Sequence, residues 1–302
     1  MAIDFDRFRF ERVYRTTAPV PVVMADLGGL RTFDAEMDLR QKTWSLRARI
    51  CGYSALAAGI GAFFLLSTDF GGVAFLGVAV LFVGMLVCNG ISSRFLKLDL
   101  QDRRYELVTR LLQRLRKDIA PDEPVTVALD FHPTTDKENL TDRGSAGEWK
   151  TESFVQRWLI LQVRLMDGTH LRLGMEERLQ LRRRTRLTPR GKYKTKNKQK
   201  GSALLHVQLR VKPEHHPHLA RLGSRARQAV RLPDSVSLVK LEVAEDRLSL
   251  RSGLPLDWDA AERVSPVSCD APRAALMSLL SLYQVLNYST ALRKQAPARV
   301  SS

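Results

Sequence analysis

The chain has 302 residues, with 48 Lys plus Arg against 32 Asp plus Glu, a formal charge of +16 and three Cys. Its 44% hydrophobic content is ample for a core, which excludes a wholly disordered chain, and three Cys exclude a disulfide scaffold at this length. Charge and hydropathy are segregated: no Lys or Arg occurs from Ile50 to Ile91.

Residues 1–49 read as a cytoplasmic N-terminal segment. FDRFRFERVYR, Phe5–Arg15, alternates aromatic and basic residues; extended, it suits either addition to a sheet edge or a bilayer surface. Thr32 or Asp34 is placed to cap a helix over Ala35–Ile50 that feeds into the apolar region.

Residues 50–91 are expected to form a two-helix transmembrane hairpin. Ile50–Ser67 and Gly71–Ile91 have 18 and 21 residues without a charge, and roughly 20 span the hydrocarbon layer. The connector Ser67–Gly71 is short enough to enforce antiparallel helices. Apolar residues lie on every face, unlike the single stripe of a soluble amphipathic helix. Arg40, Lys42, Arg47 and Arg49 precede the first span, and Arg94 and Lys97 follow the second. The positive-inside rule then puts both termini in the cytoplasm of a multi-pass inner (plasma) membrane protein. Ala55, Gly59, Gly61, Gly77 and Gly84 are expected to let helices approach closely, within the hairpin or in a homo-oligomer. No ionisable side chain lies inside either span to mark an ion or proton path. Cys51 and Cys88 near the cytoplasmic ends suit apolar packing, with palmitoylation as the alternative.

From residue 92 the hydrophobic period changes to two. Leu96, Leu98 and Leu100, a turn at Gln101–Arg104, then Tyr105, Leu107 and Thr109 predict a hairpin beginning at the membrane. Further strands are predicted over Val125–Phe131, Trp158–Met166 and, across an Asp167-Gly168 turn, His170–Leu173. Leu205–Val211, Val236–Val243 and Arg247–Leu250 complete the set. Pro133–Lys150 reads as a long surface loop. Helices are predicted over 217–231 and from Pro272 to about Leu292, the latter capped by Asp270. The fold class is a membrane α+β protein: a transmembrane helical hairpin, an antiparallel β-rich cytoplasmic domain over 92–212, and an α+β part over 213–302 with a closing C-terminal helix. That last part is either the same domain or a small second one.

A transmembrane hairpin followed directly by an antiparallel β domain resembles the bacterial membrane proteins that carry pleckstrin-homology-like domains. The resemblance covers about residues 50–212 and rests on element order and on the LKLDLQDRRYELV hairpin, Leu96–Val108. It implies a membrane-proximal binding or scaffolding module rather than an enzyme.

The strongest local feature is LRRRTRLTPRGKYKTKNKQKG, Leu181–Gly201. It carries Arg182, Arg183, Arg184, Arg186, Arg190, Lys192, Lys194, Lys196, Lys198 and Lys200 and no acid. The lysines recur every second residue, so an extended strand presents all five on one side, whereas a loop makes them a mobile brush. One reading is a solvated hairpin tip whose lysines prevent edge pairing. The other is attraction to anionic headgroups or an acidic partner, at roughly 1 kcal/mol per cation near the leaflet. Nucleic acid is disfavoured, because Tyr193 is the run's only aromatic and no reading helix accompanies it.

His215, His216 and His218 are the nearest approach to a metal-ligand set, but adjacent histidines usually diverge and no Cys is nearby. Asp257, Asp259 and Glu262 read as a loop or helix start. There is no phosphate-binding Gly-Lys-Ser/Thr loop, nucleophile elbow or metalloprotease helix, and no cofactor or metal is expected. The leading expectation is a non-enzymatic binding or scaffold module at the cytoplasmic membrane face. A membrane-bound enzyme using the histidines or Asp257 and Asp259, and a regulatory subunit working through the spans, are the alternatives.

Overall fold

The computed structural model describes residues 3–64, 71–96, 100–189, 191–261 and 268–295. They divide into two compact units, one of Met1–Leu27 with Arg103–Ser302, the other of Gly28–Asp102. The class is α+β.

The first unit opens with helix α1 (Phe5–Glu11), capped by Asp4, whose carboxylate accepts from the amides of Asp6 and Arg7. Strand β1 (Val13–Pro19) follows. Only Val13–Arg15 of the aromatic-basic segment is therefore extended, and it does add to a sheet edge. Phe8 in the middle of α1 packs edge-on against Phe131 at 5.8 Å. Helix α2 (Val20–Phe64) is continuous for 45 residues, so neither Thr32 nor Asp34 caps a helix. Thr32 donates back to Gly29 O, and Asp34 accepts from Leu100 N at 3.0 Å.

The second unit pairs the later part of α2 with helix α3 (Gly71–Leu96). Among the less exposed positions are Gln41, Ser45, Ala48, Gly52, Ala55, Gly59 and Ala62 on α2, and Val78, Leu81, Met85, Cys88, Ser92 and Phe95 on α3, which step by three and four residues. A Cβ on Gly52 would stand 3.1 Å from Met85 Sδ, Gly84 faces Cys51 Sγ, and Ser92 Oγ reaches Gln41 O. Of the five expected packing residues, Ala55 is buried and Gly84 meets Cys51, whereas Gly59, Gly61 and Gly77 have no neighbour near a notional Cβ. Leu76–Leu96 is long and apolar enough to cross a membrane, the one such helix among the described residues. The end of the first predicted span, residues 65–67, lies outside them.

The Leu96–Val108 hairpin is not present. Residues 97–99 lie outside the described set, Leu96 ends α3, and helix α4 (Asp102–Leu115) begins where a turn is expected. Tyr105, Leu107 and Thr109 mimic alternation, but the buried residues Arg104, Tyr105, Leu107, Val108, Leu111, Leu112 and Leu115 follow the helical period. The longer window overrides the short one. Within the segment carrying the resemblance to pleckstrin-homology-like proteins, Asp102–Val108 is therefore helical.

Strands β2 (Pro124–Asp130), β3 (Leu140–Ala146), β4 (Trp149–Arg164), β5 (His170–Leu187) and β6 (Tyr193–Arg210) follow. After two 3-10 turns come helix α5 (Gly223–Ala229), strands β7 (Ser237–Val243) and β8 (Arg247–Leu254), and helix α6 (Ala271–Gln295). All strands join one antiparallel sheet in the order β1-β2-β4-β5-β6-β8-β7, with β3 on the free first half of β4. Pairing of β6 with β8 carries the sheet from the 92–212 stretch into the 213–302 stretch. The expected loop at 133–150 contains β3, and the expected helix at 217–231 is reduced to a 3-10 turn and α5 by Pro217 and Gly223. Asp270 caps α6, accepting from Arg273 N at 2.9 Å.

One sheet face is the core. Val125, Val127, Leu129, Leu161, Leu171, Leu173, Leu205, Val207, Leu209, Leu248 and Leu250 alternate onto it. Helix α6 covers it with Ala274, Leu279, Leu282 and Leu286, although Leu280, predicted on the same stripe, is 61% exposed.

Candidate polyanion-binding surface

The basic run forms the distal end of β5 and β6, in register from His170↔Arg210 to Leu187↔Tyr193. At the tip, Thr188 Oγ1 donates to Lys192 O, and Gly191 takes a φ of 72°, a left-handed conformation that glycine adopts without strain. The predicted hairpin is thus a strand ribbon, not a flexible loop.

Register decides what the ribbon displays. Arg182 pairs with Lys198, Arg184 with Lys196 and Arg186 with Lys194. Directly paired residues share a face, so these six cations project together on the outer face, the one turned away from the core. Lys200, opposite Gln180, extends the same row. The reverse face carries Arg183 opposite Asn197, Thr185 opposite Thr195 and Leu187 opposite Tyr193. Lys192 sits in the tip turn, and Arg190 lies outside the described residues.

Few groups offset this charge. Glu148 lies 3.2 Å from Arg184, and Arg182 donates to Gln180 Oε1 at 2.8 Å. Trp149, at the start of β4, underlies the row: Arg184 Cζ stands 5.6 Å and Lys198 Nζ 5.2 Å from its ring. Such cation–π contacts are worth ~0.5–1 kcal/mol at exposed sites. Trp149 lies inside Pro133–Lys150, the stretch that reads from sequence as a surface loop, which hides its place at the start of a strand. A Trp two residues past a Gly turn, beginning an alternating stretch, is the signal that finds it.

Where the ribbon leaves the body, β5 and β6 approach closely. A Cβ on Gly201 would lie 2.9 Å from Arg178 O and 3.0 Å from Leu256 Cδ2, so this position accepts only glycine without rearrangement.

Below the ribbon lies a buried polar network that sequence reasoning also missed. A bulge in β4 at Trp158 switches the core-facing residues from even to odd numbers, turning both Trp158 and Leu159 inward. Trp158 stacks on Trp258 with rings 5.6 Å apart and 2° from parallel. Arg104 covers Trp158 and Arg103 covers Trp258. Glu177, on β5, bridges the two arginines: Oε1 lies 2.8 Å from Arg103 Nη2 and Oε2 3.1 Å from Arg104 Nη2. Arg104 also donates to Asp130 O, His132 O and Gln156 Oε1, and Thr134 Oγ1 lies 2.9 Å from Glu177 Oε2. Burial lowers the Arg104 pKa, and the Glu177 charge opposes that. This arrangement ties α4 to β2, β4 and β5.

The other predicted sites do not assemble. His215 and His216 line a cavity of about 340 Å³ with Asp167, Tyr283 and Arg293, while His218 is not among its lining residues. No group of three metal-ligating side chains occurs among the described residues. Burial first, then the neighbouring His215 and Arg293, lower the His216 pKa, and Asp167 opposes them. Asp259 folds its carboxylate onto the amides of Ala260 and Ala261, and Glu262 lies outside the described residues. No family model, curated protein or solved structure matches this chain.

Proposed function

We propose that the chain is an integral membrane protein inserted through the α2–α3 hairpin, with both termini cytoplasmic. Its β5–β6 ribbon acts as a non-enzymatic binding module for the anionic headgroups of the inner leaflet. Support for insertion comes from the outward faces of the two helices. Leu56, Ile60, Phe63, Phe64, Leu76, Val80, Phe82, Val83, Leu86 and Val87 are all more than half exposed. Apolar surface on that scale is stable in lipid but not in water.

The observation that carries the binding role is the register of the ribbon. Cations directly opposite one another cost ~0.2–1 kcal/mol per pair, and three such pairs stack in succession. Edge protection requires cations, but it does not require them on one face above a tryptophan. An anionic leaflet contributes ~1 kcal/mol per cation, so six return more than their mutual repulsion costs. Because the hairpin already tethers the chain, this energy sets the orientation of the sheet unit rather than recruiting the protein.

The test uses the full chain in lipid nanodiscs with a fluorophore at Thr195 and quencher-labelled headgroups. Anionic lipid should increase quenching, added salt should reverse it, and Lys194→Gln with Lys196→Gln and Lys198→Gln should abolish the increase. Quenching indifferent to anionic lipid overturns the reading, as does tighter binding of an acidic peptide or RNA to the ribbon in the presence of that lipid.

A further inference from the structure

The sheet's outer face carries a second cationic surface at the opposite end of β5 and β6, and the ribbon reading does not use it. Adjacent strands bring Arg164, His170, Arg210 and Arg247 into one transverse row across β4, β5, β6 and β8. The next row on the same face is Gln162, Arg172, Gln208 and Ser249. Arg172 is thus diagonal to both Arg164 and Arg210, at about 7–8 Å between backbones. A groove of about 660 Å³ runs over these residues, lined by four permanent cations, Arg164, Arg172, Arg210 and Lys212, against one carboxylate, Asp246. That carboxylate lies 3.4 Å from Arg210. Neither Arg164 nor Arg172 has an ion-pair partner among the described residues. Two residues along β6 from Gln208, His206 has its pKa lowered first by burial and then by Arg251 and Arg172, with Glu242 opposing.

We propose that this groove binds a compact, multiply phosphorylated ligand. Guanidinium forks match phosphate oxygens two at a time. Three of them on a diagonal suit linked phosphates, one to each arginine, while the amides of Gln162 and Gln208 flank Arg172 as further donors. The volume is that of a small-molecule site. Arg172 and Arg184 are twelve residues apart on β5, about 40 Å at ~3.3 Å per residue, so groove and ribbon act separately.

The full chain in zwitterionic detergent is titrated with inorganic tripolyphosphate by calorimetry. One saturable site is expected, weakened by salt. Arg164→Gln with Arg172→Gln should weaken it at least ~tenfold, and the triple lysine variant of the ribbon should leave it unchanged. Both arginines are exposed, so thermal unfolding of the double variant should match the parent, which separates lost binding from lost folding. Vesicles of phosphatidylcholine with a polyphosphorylated inositol lipid then distinguish the source of the phosphates. If tripolyphosphate competes and the arginine variant fails to bind, the groove takes lipid-borne phosphates; if only the soluble anion binds, it takes free ones. The absence of saturable binding, or binding that follows the ribbon lysines instead of Arg164 and Arg172, overturns the proposal.

Discussion

Glu177 shows how much one side chain carries. Its carboxylate, 2% exposed, lies between two guanidiniums that are themselves stacked on Trp158 and Trp258. Removing one partner of a buried pair leaves an uncompensated charge, at a cost of roughly 3–5 kcal/mol. Glu177→Gln should therefore destabilise the sheet unit by about that amount in denaturant unfolding and alter the circular dichroism of the stacked tryptophans. Arg104→Met should cost less, because Arg103 continues to neutralise Glu177. Equal stability of Glu177→Gln and the parent would show that the network is incidental.

His206 gives a pH dependence whose sign follows from its neighbours. It lies 2.8 Å from Ser249 Oγ. Burial, Arg251, Arg172 and Arg247 hold its pKa below the ordinary value, and Glu242 alone opposes them. An unfolded histidine titrates near ~6.5, so between the folded and unfolded values the unfolded chain binds more protons. Stability due to His206 is then complete above the unfolded value, falls as pH drops through it, and is fully lost below the folded value. His206→Gln should flatten this part of the melting-temperature profile relative to the parent; parallel profiles would contradict it.

At the scale of elements, Gly201 sets the exit of the ribbon. A Cβ there meets backbone Arg178 O at 2.9 Å, and backbone cannot swing away as a side chain does. Gly201→Val should destabilise by ~1–3 kcal/mol and lower the hydrogen-exchange protection of β6 around residues 193–203. Unchanged protection would show that the close approach relaxes freely. The element assignments that failed share one cause. Leu96–Val108 contains a short alternating run, but only the window extended to Leu115 reveals the helical stripe. The strand ends ran longer than predicted because tertiary pairing, not hydropathy, sustains Trp149–Arg157 and Arg178–Leu187. Polar residues on both faces there leave no period to read.

Across the whole molecule, the +16 charge is not spread evenly. The outer sheet face carries the six-cation ribbon at one end and the arginine groove at the other, while the core face is apolar apart from the buried network around Glu177. The run 182–200 was legible because its charges are consecutive in sequence. The groove was not, because Arg164, Arg172 and Arg210 belong to three strands and meet only through register. The same holds for the unit itself: β1 comes from the first 19 residues, yet it pairs with β2 beyond residue 124.

By itself the sequence determined the segregation of charge from apolar residues, the apolar helix that includes Leu76–Leu96, the Asp167-Gly168 turn, the capped C-terminal helix and the acid-free basic run. Each depends on neighbours within a few residues, where side-chain period and capping chemistry act. Only the tertiary structure decided that the cations of the run pair across a ribbon on one face, that Glu177 meets two arginines from α4, and that three distant arginines and Lys212 share a groove. Those arrangements depend on strand register and on the burial of one sheet face, and both are set by contacts between residues far apart in the chain.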